Sequence, residues 1–244
     1  MTDEMRLAML ISGGGTTMEQ IIIACQRGLL RGLVEPSLVI SSRYDAGGIT
    51  KALLLGLSSA DVIVLPRRDF PDQLAWGEAI FDACRHRGID IVGQYGWLPF
   101  TPANVINAFP DAMINQHPGP LDPGRQDFGG KGMIGRAVHA ARLLFVREVG
   151  RDFWTEATAQ RVAKEYDKGA VLAALTVDIN KDDDPISLQQ RVLPKEHTLQ
   201  VEVLRQFATG TIHEVVRAEP LVKLGEEEIL ERAKQAAALL FPHG

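Results

Sequence analysis

The chain has 244 residues, 45% of them hydrophobic and 23% charged, with a net charge of −5. That composition buries a core and excludes a disordered polymer. It leaves no surplus of Lys and Arg to neutralise phosphates, which excludes broad binding to nucleic acid or an acidic membrane but not a small local phosphate site. The two cysteines, Cys25 and Cys84, are too few for a disulfide framework or a Cys-based zinc site, and are expected as buried thiols.

Short apolar runs alternate with helix-length segments through the first half. Leu7–Ile11 reads as a buried strand, followed by a Gly-rich turn and a helix from Thr17 to Arg27. Pro36–Ser41 is a second strand, Ala46–Leu55 a helix, Asp61–Leu65 a third strand, and Gln73–His86 a helix stopped at Gly88. Asp90–Tyr95 and Ala112–Asn115 are further strands on either side of a short helix, Pro102–Ala108. This βαβα repetition predicts an α/β fold, an open and mostly parallel twisted sheet with helices on both faces. Ligands of such sheets lie at the carboxyl ends of the strands.

Pro118–Gly130 has no apolar period and reads as a long functional loop, with a helix over Lys131–Val146 behind it. Two strands are expected between Thr155 and Ile179, joined through Tyr166–Gly169. Ser187–Phe207 has a long helical pattern that Pro194 kinks or splits. Leu224–Leu240 reads as a charged amphipathic helix, an exposed extension. The expected organisation is a catalytic domain over 1–212 and a helical extension over 213–244. No run approaches the roughly 20 apolar residues of a membrane span. The short acidic start lacks the basic region of a signal peptide. The expectation is a cytoplasmic protein acting on small molecules, with no nucleic-acid or membrane partner, as monomer or homodimer.

The turn Gly13, Gly14, Gly15, Thr16, Thr17 lies between a strand and a helix. Glycines there let backbone approach a ligand, and the helix N-terminus offers N–H groups to an anion. It lacks the Gly-Lys-Ser/Thr of a nucleotide loop, and Met18 breaks the dinucleotide fingerprint, so a phosphorylated metabolite fits better. A tight turn holding nothing fits as well. Asn115 and His117 share an extended segment and point to one side, an oxyanion donor beside a proton carrier. A turn-capping Asn and a surface His remain the plainer reading of that pair alone. Asp167 sits in a turn where Asp is an ordinary residue. Glu196 and His197 read locally as a solvated helix face. Asp61 and Asp90 read as caps, and Asp182–Asp184 as the lead into a helix N-terminus. His139 is expected to be structural, and His86, His213 and His243 to lie at the surface. No His, Cys or Asp cluster has metal-ligand spacing.

Five segments in order resemble the folate-dependent formyltransferases: Leu10–Thr17, Gly96–Pro102, Ile114–Pro118, Glu165–Leu172 and Arg191–His197. The resemblance runs from about Met5 to Thr211, is strongest to the members that act in purine synthesis, and implies a Rossmann-type N-terminal half. It implies transfer of a formyl group from 10-formyltetrahydrofolate, as co-substrate, to the amine of glycinamide ribonucleotide, with no metal. Asn115, His117 and Asp167 would be catalytic, the first two holding the oxyanion and Asp167 orienting the imidazole and stabilising its positive charge. Gly13, Gly14, Gly15, Thr16 and Thr17 would hold the phosphate and Glu196 the ribose. Tyr95, Gly96, Trp97, Leu98, Pro99 and Phe100 would line the folate. The chain departs from the family at Gly14 and Thr16–Thr17, at Gln160 where a His is usual, and over 120–155, which is longer. Water or an amino sugar as acceptor, or a non-catalytic binding role, stay open.

Overall fold

The computed structural model describes residues 4–242 and Gly244. It resolves into two compact units. The first runs up to Gln116 and takes in Gln200–Ile212. Its strands are β1 (Met5–Ile11), β2 (Val34–Ser41), β3 (Val62–Val64), β4 (Ile91–Gln94) and most of β5 (Met113–His117). Their order is β3-β2-β1-β4-β5, and each pairing is parallel. Leu7 to Ile11 are wholly buried, the continuous apolar run that a strand covered on both faces requires. Between the strands lie α1 (Thr16–Arg27), α2 (Gly47–Leu54), α3 (Gln73–Arg85) and α4 (Ala103–Ala108). The chain leaves β1 toward β2 and β3 on one side and returns to β4 and β5 on the other. The carboxyl ends of β1 and β4 therefore flank a topological switch point, where the loops 12–17 and 95–100 emerge.

The second unit is His117–Leu199 with the segment from His213 onward. It holds α5 (Arg136–Val149), the antiparallel pair β6 (Trp154–Arg161) and β7 (Val171–Asp178), the start of α6 (Pro185–Ala208), and α7 (Glu227–Leu240). Phe128 and Phe145 meet edge to face at 5.3 Å in its core. Arg142 is wholly buried, with its guanidinium 4.8 Å from the Phe128 ring centre and 4.7 Å from that of Trp154. It donates to the carbonyls of Trp154 and Asp152. Burial pulls its pKa down to about 10.

The α/β class and the mostly parallel pairing are as the sequence predicts. Three elements differ. The helix expected from Lys131 begins at Arg136, because Gly130, Gly132 and Gly135 all take positive φ, which a right-handed helix cannot run through. The helix expected to kink or split at Pro194 runs unbroken as α6. Pro194 is exposed, and buried Leu188, Val192, Leu199 and Val203 hold one face of the helix on both sides of it. The last helix is docked: α7 packs on α5 and buries Leu230, Ala233 and Ala237. Among the described residues no helix is long and apolar enough to cross a membrane.

Candidate functional site

In the first unit, β1 ends in a turn whose geometry depends on glycine. Gly15 caps α1 at φ 64, and a Cβ there would lie 2.7 Å from Cα of Gly48. Gly15, at the N-cap position, has no side chain to cap this helix, and first-turn N–H groups of a helix point out of its N-terminus. Gly13 and Gly14 are exposed, with nothing within 4 Å of where a Cβ would stand. Thr17 is buried and Thr16 half-buried. The sequence reading missed Ser12, which organises this end of the sheet. Its N–H donates to the carbonyl of Gly96 at 3.0 Å, and its hydroxyl accepts from the N–H of Leu98 at 3.0 Å and meets Ser42 Oγ at 2.6 Å.

The loop after β4 is thereby fixed beside the glycine turn. Tyr95 is buried, with its ring lying back over Gly93, where a Cβ would collide with the phenol. Burial raises the phenol pKa. Trp97 stacks on Trp76 at 5.7 Å and 11°, so its ring is spent on packing. Gly96 and Leu98 are exposed, and Pro99 and Phe100 half-buried. Of the six residues expected against folate, the last three and Gly96 present surface, while Tyr95 and Trp97 support them.

The second unit brings His117 and Asp167 together. His117 is 3% exposed. Its Nε2 lies 3.2 Å from the carbonyl oxygen of Phe128. A carbonyl only accepts, so Nε2 carries a proton. Nδ1 lies 3.7 Å from Asp167 Oδ1, a contact that becomes an ion pair once the ring takes a second proton. Asp167 is held on both oxygens: Oδ2 accepts from the N–H of Gly130 at 2.9 Å and Oδ1 from Gln160 Nε2 at 2.7 Å. Its backbone sits at φ 54, a region Asp tolerates better than most residues. Gly129 makes the approach possible, since a Cβ there would lie 2.6 Å from Cβ of Asp167. The arrangement can take up and release one proton at a fixed place. Asn115, two residues before His117 on β5 and half-buried, carries an amide donor.

The loop from Pro118 to Gly130 is an ordered frame. Buried Asp127 accepts from the N–H groups of Asp122 and Gly129, at 3.1 and 3.0 Å, and pairs with Lys168 at 3.6 Å. Buried Asp122 accepts from Arg125 at 2.9 Å, and Glu156 pairs with Arg217. Glu196 is 4% exposed on α6, so the solvated face expected there is instead packed. His139 is wholly buried on α5, and burial pushes its pKa down to about 3, with His117 adding to the shift. Cys25 and Cys84 are buried free thiols, each pushed up to about 12 chiefly by burial. Asp90 accepts from the N–H of Arg6, Asp61 pairs with Arg87, and Asp184 caps α6 through the N–H groups of Ile186 and Ser187. His86 and His213 are exposed, and His243 lies outside the described residues. Among the described residues no group of three or more His, Cys, Asp or Glu has metal-binding geometry.

Comparison with known proteins joins these observations. The family described as formyl transferase matches residues 5–204. The chloroplastic phosphoribosylglycinamide formyltransferase of Arabidopsis thaliana is 36% identical over 201 residues, which is 82% of this chain and 64% of the relative. That of Vigna unguiculata is 34% identical over 85% of this chain and 62% of its own length. The chain thus spans somewhat under two thirds of either plant protein. The crystal structure of glycinamide ribonucleotide transformylase 1 from Symbiobacterium toebii superposes with a TM-score of 0.73 at 26% identity, covering 86% of this chain and 90% of that one. With the match to its family reaching from β1 into α6 and taking in the His117–Asp167 pair, the chain belongs to the formyl transferases.

Proposed function

We propose that the chain transfers the formyl group of 10-formyltetrahydrofolate to the amine of glycinamide ribonucleotide, a step of purine synthesis. The observation that carries this reading is the pairing of the buried His117 with the half-buried Asp167, with the Asn115 amide on the same strand as His117. The acceptor amine adds to the formyl carbon, and the carbonyl oxygen takes up negative charge. Asn115 hydrogen-bonds that oxygen, and the protonated ring of His117 joins it once Nε2 turns its N–H from the Phe128 carbonyl to the oxyanion. Asp167 compensates the positive ring and takes the proton that the amine loses, through water. Collapse re-forms the C=O bond and breaks the bond to N10 of the folate, which leaves with the proton that Asp167 took from the amine. The N-terminus of α1 and the open backbone at Gly13 and Gly14 suit a phosphate. Glu196 is assigned to the ribose hydroxyls, and the surface of Gly96 and Leu98–Phe100 to the pterin. The names of the plant and Symbiobacterium relatives support the same acceptor. We place the reaction in the cytoplasm, where the buried, unpaired Cys25 and Cys84 stay reduced, and assign a monomer or homodimer.

The test is the absorbance assay for tetrahydrofolate, with and without glycinamide ribonucleotide. Acceptor-dependent product, reduced roughly 10²–10⁴-fold in His117→Asn, is the expected result. Product without acceptor would make the chain a hydrolase. Product with an amino sugar alone would move the acceptor, and folate binding without turnover would make it a binding protein.

A further inference from the structure

The segment beyond the family match carries a lysine in an unusual place. On α7 the buried residues Leu230, Ala233 and Ala237 form the stripe that faces α5. Lys234 lies within that stripe, one turn after Leu230. Its ammonium donates to the carbonyl oxygens of Gly129, at 2.7 Å, and Asp127, at 3.3 Å. The next groups along the same short strip face the other way. The carbonyl of Phe128 meets His117 Nε2, and the N–H of Gly130 meets Asp167 Oδ2. Four consecutive residues therefore link Lys234 on one edge to the imidazole and the carboxylate on the other. Gly129 closes the gap, leaving no room for a Cβ beside Asp167.

We propose that Lys234 is a positioning residue: by clamping the carbonyls of Asp127 and Gly129 it fixes the strip that sets His117 against Asp167. This rests on reading that pair as the reacting groups. A lysine serving solubility would hold its ammonium in water. Here the ammonium is drawn inward at a cost: burial lowers its pKa, while Asp127, Glu231 and Asp167 act to raise it and Lys168 lowers it further. The stripe position, the two carbonyl contacts and the shared strip all point to the same task.

The experiment uses the full chain as wild type, Lys234→Met, Lys234→Arg and His117→Asn. Lys234→Met keeps the aliphatic stem and deletes the donors. It should lower kcat roughly ten- to a hundredfold, leave both KM values within about twofold of wild type, and displace the kcat–pH limb set by the His117–Asp167 pair. Lys234→Arg should recover part of the loss, because it restores charge and donors. The ring signals of His117, assigned by NMR with His117→Asn, should shift in Lys234→Met and return toward wild type in Lys234→Arg. Unchanged His117 signals and an unchanged pH profile in Lys234→Met would overturn the proposal, whatever happens to the melting temperature. Should His117→Asn retain wild-type turnover while Lys234→Met still moves the His117 signals, the clamp stands and the catalytic reading falls. If Lys234→Met does not fold, the same readouts are taken on Lys234→Gln, which keeps one neutral donor.

Discussion

Replacing Gln160 with Leu should separate stability from catalysis. Gln160 is 1% exposed and spends its amide N–H on Asp167 Oδ1 at 2.7 Å. A hydrogen bond to a charged group contributes about 1.5–3 kcal/mol. The other end of the same side chain offsets it: Oε1 is buried with no partner among the described residues, and an unsatisfied buried group costs about 1–3 kcal/mol. Leu removes both and fills much the same space with apolar atoms. Folding stability should therefore change by no more than about 1 kcal/mol. Catalysis has no such offset. Asp167 loses one of its two described anchors while its backbone remains at φ 54, a strained region from which an unpinned residue tends to relax. If the lost 1.5–3 kcal/mol is felt in the transition state, kcat falls about ten- to a hundredfold. Urea denaturation gives the first quantity and the tetrahydrofolate assay the second. Wild-type kcat in Gln160→Leu would refute the reasoning, because it would show that Asp167 does not depend on that hydrogen bond. A loss of activity matched by a loss of folded protein would refute it too.

Three further substitutions follow from the geometry. Gly14→Ala should leave thermal stability unchanged while raising KM for the phosphorylated substrate, whereas Gly15→Ala should also cost at least about 1–2 kcal/mol for its left-handed backbone, before the clash with Gly48 is counted; equal melting temperatures for the two would contradict this. His139→Leu should raise stability at neutral pH by about 1–3 kcal/mol, since both ring nitrogens lack partners among the described residues. The gain should grow in acid. The folded His139 has a pKa of about 3, below its ordinary 6.5. Below pH 6.5 the unfolded chain therefore takes a proton that the folded one refuses, and stability drains away until about pH 3, by roughly 5 kcal/mol in total. Urea midpoints between pH 7 and 4 that run parallel in wild type and variant would refute that assignment.

The sheet is legible because a parallel strand must be apolar on both faces, which makes Leu7–Ile11 unmistakable from its residue types alone. The start of α5 is not legible by apolar period, since what decides it is the sign of φ at three glycines. Pro194 shows the same limit from the other side. A local rule forbids proline inside a helix, and burial of one helical face on both sides of it prevails. The docking of α7 is half-legible: its stripe is visible in the sequence, but the partner for a stripe lies elsewhere in the chain.

The site divides along the same line. Asn115 and His117 share a strand, so their common direction follows from a period of two. Asp167 is remote in sequence, and only its place in a family pattern pairs it with His117; the fold supplies the 3.7 Å contact. Gln160 is visible in the sequence as a departure, yet what it does depends on which side of β6 faces the turn at Asp167. Lys234 carries a signal of its own in the residues around it. A lysine at the fourth position after Leu230, inside an apolar stripe, must either snorkel to water or find acceptors. The carbonyls of Asp127 and Gly129 are those acceptors, and a charged residue placed where a helix wants an apolar one marks the contact that α7 makes with the loop holding the pair.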